Sequence, residues 1–346
     1  MSPQTPHDLV SNSISLTWPV LYNDLAHNGN RLKSRDGGCR ELIGHVFKLR
    51  DLTQTFVLHP KRKLSVAYAA AEFLWYCRGD RDIEMIHQYA PQYDRFAEFG
   101  VAHGAYGWRW TNDPVFLRTL GSYLRDREYG QMVGDLPLNT QISAAITLLQ
   151  RQPNTRQCVI TMWNAGDLLH SITGSKGDIP CTLGVQFIRR NDRLHAITYM
   201  RSNDIWLGFP YDVFAFTCLQ RLIAEAIKCM PGTYTHNVGS MHLYDRNLKP
   251  DDLDIFDPAT QDHLITDWKW HGRPISQAIN NAMELEERMR ENRDRVSDDM
   301  IDAMCGHGSL MSDLVRCVRT RWFPNEPFNP FSPALKAAHD IQIAKD

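Results

Sequence analysis

Asp178-Ile179-Pro180-Cys181, Arg201-Ser202-Asn203-Asp204-Ile205-Trp206-Leu207-Gly208-Phe209-Pro210-Tyr211-Asp212 and His242-Leu243-Tyr244 fall in order within one stretch, and its reading decides the fold. Thr182 to Arg190 and Arg193 to Arg201 read as strands, and Asn191-Asp192 between them suits a tight hairpin turn. Cys181 follows a proline at the hairpin's mouth, with Arg201-Ser202 placed at its far end. Phe214 to Met230 is the strongest helix pattern in the chain. Phe216, Leu219, Ile223, Ala226 and Ile227 form its stripe, and Pro231-Gly232 is its expected stop. Asp212 stands where the N-cap would be. A thiol, a guanidinium, a hydroxyl, carboxylates and a histidine on such elements suit covalent catalysis on an anionic substrate.

Outward from that stretch, Trp18 to Ala26 reads as a docking helix and Gly44 to Leu49 alternates as a strand. Asn30 to Arg40 reads as a basic, glycine-containing loop able to wrap an anion, although a plain solvated loop fits its composition as well. Ser65 to Cys77 has a buried-helix pattern with Glu72 inside the apolar run, where a desolvated carboxyl would have a raised pKa suited to proton relay. Ile86 to Trp110 is rich in aromatics, as core or as a platform for a flat ligand. Phe116 to Arg125 and Gln141 to Arg151 read as helices, and Arg156 to Trp163 as a strand. Ser276 to Asn292 and Asp298 to Trp322 read as charged helices, followed by an extended Pro-rich segment from Phe323 to Pro333.

A formal net charge of −2 gives no global field for nucleic acid or anionic membranes, and no apolar run reaches the length of a membrane span. None of the eight cysteines forms a CxxC pair and no Cys/His cluster has zinc spacing, so reduced thiols and no metal are expected. Met1-Ser2-Pro3-Gln4 lacks the character of a signal peptide, which points to a cytoplasmic location.

Taken in order, these residues resemble the thymidylate synthase superfamily, and within it the pyrimidine nucleotide hydroxymethylases. Glu72-Phe73-Leu74-Trp75-Tyr76, Tyr106-Gly107, Asn154-Thr155-Arg156 through Trp163-Asn164, Pro180-Cys181, Arg201-Ser202-x-Asp204, Leu207-Gly208-x-Pro210 and His242-x-Tyr244 carry the likeness. It implies an α/β (α+β) fold, a twisted mixed sheet flanked by helices. The catalytic part would span 1–250, with a helical C-terminal extension over 251–346 packed on the same domain. The co-substrate would be 5,10-methylenetetrahydrofolate, and the enzyme a homodimer with shared sites, acting on a pyrimidine nucleoside monophosphate.

Residue by residue, the resemblance makes Cys181 the nucleophile that adds to C6 of the base, activating C5 toward the folate's one-carbon unit. Arg201 would favour the thiolate and hold phosphate with Ser202 and Arg35, while Arg156 would reach it from the partner subunit. Glu72 would order water and relay protons; Asp204, Gly208 and Tyr93 would line the folate site; His242 and Tyr244 would bind the sugar hydroxyl.

The departures from that pattern set the expected substrate. Asp212 stands where thymidylate synthases carry asparagine, and a protonated carboxyl can donate to N3 of cytosine and accept from its amino group. Tyr93 and Phe96 stand at the positions of two folate-side tryptophans, a change that would admit water to an exocyclic methylene and leave a hydroxymethyl group. Gln157 replaces a second arginine, and the chain continues well past Tyr244. Ser202 favours the deoxy sugar. The leading expectation is conversion of dCMP to 5-hydroxymethyl-dCMP. Methylation of dCMP, thymidylate synthesis from dUMP, use of CMP, and a silent nucleotide- or RNA-binding relative remain as alternatives.

Overall fold

The computed structural model describes residues 8–34, 37–125, 140–173, 178–254, 266–269 and 274–344. Among the described residues, seven strands form one mixed sheet: β1 (Asp8–Ser13), β2 (Asn30–Ser34), β3 (Gly37–Gln54), β4 (Val159–Thr161), β5 (Thr182–Arg190), β6 (Arg193–Asp204) and β7 (Met230–Tyr244). Their order is β1-β3-β7-β6-β5-β4, with β2 paired to β3. The helices are α1 (Ile14–Asn28), α2 (Val66–Arg78), α3 (Glu84–Tyr89), α4 (Tyr106–Thr111), α5 (Pro114–Arg125), α6 (Gln141–Arg151), α7 (Ala165–Thr173), α8 (Phe209–Ala226), α9 (Ile275–Glu291), α10 (Asp298–Cys305), α11 (Leu310–Trp322) and α12 (Pro333–Ile343). None of the described helices is long and apolar enough to cross a membrane.

The hairpin forms as its turn chemistry requires. Asn191 and Asp192 both take positive φ, 49° and 58°, the twist that matches two right-handed strands. Because β5 and β6 are antiparallel, Arg201 does not sit at the far end from Cys181. It lies beside it, with the Arg201 N–H donating to the Cys181 carbonyl at 2.8 Å. β6 and β7 are parallel, so the chain must cross over, and α8 is that crossover. The register then sets Asp204 opposite His242.

Several elements differ from the sequence expectation for identifiable reasons. α8 begins at Phe209 rather than Phe214, because Pro210 fits a first helical turn that needs no N–H from it. It ends at Ala226, and Lys228 turns left-handed (φ 53°), so Pro231-Gly232 lies within β7 instead of ending the helix. The supposed loop at Asn30–Arg40 is a hairpin of β2 on β3, with its connection at 35–36 outside the described residues. The strand at 156–163 shrinks to β4, and the Gln141 amide covers its free edge by taking both the N–H and the C=O of Thr161, each at 2.9 Å. Asp298–Trp322 is two helices, broken where Gly306 and Gly308 take φ of 94° and 71°. The segment before Pro333 opens on a turn instead of an extended run, the Glu326 N–H donating to the Phe323 carbonyl at 3.1 Å, and α12 follows it.

Helix α2 lies at the centre of the packing. Ser65 caps it by accepting from the Tyr68 N–H, and Gly79 closes it at φ 72°. It packs against α8 on one side and against α9 and α11 on another, so nearly every residue from Val66 to Tyr76 is buried. The C-terminal helices are therefore part of what keeps water from α2. Polar links tie them there: Tyr89 donates to Glu286 at 3.0 Å, and Trp322 donates to Tyr89 at 2.8 Å.

Candidate active site

Cys181 is half-buried at the entry to β5. The Arg201 guanidinium bends back over the same approach, donating from Nε to the Pro180 carbonyl and from Nη2 to the Ile179 carbonyl, each at 3.0 Å. It thereby fixes the backbone leading to the thiol while staying exposed itself. Asp178, three residues earlier, is pushed up to about 6 by burial, against the pull of Arg201 and Arg109.

Two carboxyls share the tyrosines that surround the cysteine, Glu72 buried and Asp212 half-buried. Glu72, on α2, is only 7 % exposed and is pushed up to about 7 by burial, although hydrogen bonds from Tyr68 and Tyr76 favour its charged form. The Tyr68 hydroxyl donates to it at 2.6 Å. Asp212, on α8, is pushed up to about 8, first by burial and then by the charge of Glu72. The charge of Glu72 thus makes the ionised form of Asp212 less favourable, as a like charge nearby does.

Asp212 is not an N-cap. Its own N–H donates to the Gly208 carbonyl at 2.9 Å, which places it inside the first turn, and its Oδ2 accepts from Asn203 Nδ2 at 2.7 Å. Gly208 makes that pair possible. A Cβ there would stand 3.0 Å from Asn203 Nδ2 and 3.2 Å from Asp212 Oδ2.

Tyrosines close the space between these groups. Tyr93 feels the charges of Glu72, Asp178, Asp212 and Cys181, and Tyr106 those of Asp212, Cys181 and Asp178, so both phenols lie in this centre. Burial first, and then those negative groups, raise both well above the ordinary tyrosine value. Tyr93 also packs edge-on against Trp75 and Phe96.

The second half of the site lies along β6 and β7. Ser202 Oγ is 3.3 Å from His242 Nδ1, and the Tyr244 ring stands edge-on to His242 at 5.1 Å. Asp204 Oδ1 accepts from the Trp206 and Leu207 N–H groups at 2.8 and 3.1 Å, while Oδ2 is buried with no hydrogen-bond partner among the described residues. Burial raises the Asp204 pKa, with His242 opposing it. An orphaned buried acceptor of this kind suits an N–H donor from a ligand. Next to it a 410 Å³ cleft is lined by Pro60, Lys61, Arg62, Lys63, Trp206 and Lys249. Lys249 Nζ lies 4.7 Å and Arg62 Cζ 5.6 Å from the Trp206 ring centroid. The rim of this cleft is met by the residue that follows α12, since Lys63 donates to the Ala344 carbonyl at 2.8 Å.

A family model described as Thymidylate synthase matches residues 17–261. The chain belongs to the thymidylate synthase family. Thymidylate synthase family enzymes are one-carbon transferases that use 5,10-methylenetetrahydrofolate, bind a nucleotide substrate and usually form homodimers. Beyond the match, α9, α11 and α12 continue the fold by packing on α2.

Of the residues singled out from the sequence, Cys181, Arg201, Glu72, Asp212, Tyr93 and Gly208 come together, and Ser202, Asp204, His242 and Tyr244 line the adjoining strands. Arg156 does not join them within one subunit. It is exposed and lies beyond Gln186, several residues along β5 from Cys181. Arg35 lies outside the described residues. Sequence reasoning passed over Tyr68 and Tyr76, yet both sit four residues from Glu72 on one helix, a spacing that puts them on its face. It also passed over Asn203, whose partners come from distant segments that no local pattern joins.

Proposed function

We propose that this chain is a folate-dependent deoxycytidylate C5-hydroxymethylase, converting dCMP to 5-hydroxymethyl-dCMP. The observation that carries the reading is Asp212: its carboxyl sits in the first turn of α8 with Oδ2 held by Asn203, and burial pushes its pKa up to about 8, toward the protonated form that can donate a hydrogen bond. Cytosine presents an acceptor at N3 and a donor at its amino group, and a carboxylic acid answers both when its hydroxyl faces N3 and its carbonyl oxygen faces the amino group. Uracil presents the reverse.

In this reading Cys181 adds to C6 of the base, and C5 becomes nucleophilic. Arg201 holds the backbone around the thiol and offers positive charge to the thiolate and to the phosphate. Glu72, close to half-protonated near pH 7 and held by Tyr68 and Tyr76, moves protons at the base. His242 and Tyr244 take the sugar hydroxyl, and Ser202 takes the phosphate. The orphaned Asp204 Oδ2 and the cation-lined cleft beside Trp206 fit a flat, N–H-bearing, carboxylate-tailed co-substrate such as methylenetetrahydrofolate. That co-substrate supplies the one-carbon unit. Tyr93 and Phe96 leave a wall with a hydroxyl and an exposed edge, which favours completion by water over hydride transfer.

A homodimer is supported by exposed apolar side chains along the sheet, with Ile43, Val159, Leu183 and Tyr199 each at least 39 % exposed. The exposed Arg156 would then serve the partner's phosphate. Release of tritium from C5-labelled dCMP in the presence of methylenetetrahydrofolate tests the proposal. Release by the intact enzyme and none by Cys181→Ala is expected. Release unchanged in Cys181→Ala, or none from the intact enzyme, would overturn it.

A further inference from the structure

A protonated carboxyl does not by itself choose cytosine. With its hydrogen on one oxygen it matches the cytosine edge; with the hydrogen on the other it matches uracil. Something must decide which oxygen carries the hydrogen. The residues behind Asp212 do so.

Asn203 Nδ2 donates to Asp212 Oδ2 at 2.7 Å, so its other amide atom, Oδ1, faces His236 Nε2 at 2.9 Å. An amide oxygen only accepts, so Nε2 carries the hydrogen. Burial, together with the neighbouring His45, lowers the His236 pKa to about 3, so the ring is neutral and its Nδ1 is bare. The Tyr234 hydroxyl, 2.7 Å from Nδ1, is then the donor there. Every bond in the chain Tyr234–His236–Asn203–Asp212 thus points the same way. Tyr234 and His236 are fully buried and Asn203 is 4 % exposed, so water has little access to reverse it. The edge of Phe209 packs on the imidazole at 5.2 Å and holds its plane. The other ionisable groups around Asp212 are Glu72, Tyr76, Tyr93 and Tyr106, and none of them takes the place of Asn203 at Oδ2.

We propose that His236 is a positioning residue for base choice: through Asn203 it holds Asp212 Oδ2 as the accepting oxygen and leaves Oδ1 to carry the hydrogen. Oδ2 then has a second lone pair for the cytosine amino group, and the Oδ1 hydrogen meets N3. Uracil O4 finds no donor and its N3–H meets another hydrogen. The inference rests on Asp212 facing the base, as in the function proposed above.

The test compares kcat/KM for dCMP and dUMP, with calorimetric Kd values for both nucleotides, in the intact enzyme and two variants. His236→Leu removes the donor to Asn203, whereas His236→Gln keeps an N–H at the place of Nε2. The dCMP preference should fall about tenfold or more in His236→Leu, with dCMP weakened and dUMP improved, because one hydrogen bond no longer has a fixed direction. His236→Gln should retain most of the preference. Damage to the fold would lower both nucleotides together, so the opposite movement of the two separates positioning from structure. If His236→Leu does not fold, Asn203→Ala reads the same effect from the other side of the imidazole. An unchanged preference in these variants, or an equal loss in His236→Gln and His236→Leu, would overturn the inference while leaving the proposed function standing. A dUMP preference in the intact enzyme would instead overturn the function itself.

Discussion

Asp212→Asn should collapse the choice between cytosine and uracil. In the intact site uracil leaves two groups mispaired, O4 without a donor and N3–H against a hydroxyl hydrogen. Each mispaired buried group costs about 1–3 kcal/mol, so discrimination of about 2–6 kcal/mol is expected, roughly 30-fold to 2 × 10⁴-fold in kcat/KM. An asparagine at this position brings two hydrogens on one nitrogen. One can go to Asn203 Oδ1 and the other to uracil O4, provided the Asn203 amide and the His236 tautomer reverse together. The variant should therefore lose dCMP turnover, gain dUMP turnover, and end with the two within about tenfold. Steady-state rates for both nucleotides, with folate saturating, measure this directly. A variant that still favours dCMP by the full intact margin would refute the hydrogen-bond reasoning.

The same carboxyl predicts two effects of pH. For activity, kcat/KM on dCMP should fall as pH rises through about 8, because the free enzyme loses the Asp212 donor, and Asp212→Asn should remove that limb. For stability, folding raises the Asp212 pKa from 3.8 to about 8, so the folded state holds a proton that the unfolded chain releases. Its contribution is fully present below 3.8 and is lost as pH rises to about 8, so Asp212→Asn should raise Tm more at pH 9 than at pH 5. Thermal melts at the two pH values check the sign. Gly208→Ala should fold, since φ there is −81°, yet lower dCMP turnover about tenfold or more by pushing Asn203 and Asp212 apart. Full dCMP activity in Gly208→Ala would show that the Asn203–Asp212 bond is dispensable.

Much of this site was legible in local patterns. The Asn191-Asp192 turn and the strands beside it follow from two-residue hairpin chemistry, and the burial of Glu72 follows from an apolar run too continuous to leave it a wet face. What local pattern missed has physical causes. The apolar stripe starts only at Phe216, so periodicity places the start of α8 near Phe214 and makes Asp212 look like a cap, although the first helical turn already holds Pro210. The break at Gly306 and Gly308 was masked by the helical periodicity on both sides. Asn203 and His236 are separated by the whole of α8, and only the parallel pairing of β6 with β7 brings them together. The covering of β4's free edge by a side chain from α6 is again a tertiary event.

The chemistry at C5 is tested most directly by the mass of the product formed from dCMP and methylenetetrahydrofolate in ¹⁸O-labelled water. Hydroxymethylation predicts a gain of CH₂O whose oxygen carries the label, with tetrahydrofolate released. A gain of CH₂ alone, accompanied by dihydrofolate, would contradict it and make the enzyme a methylase.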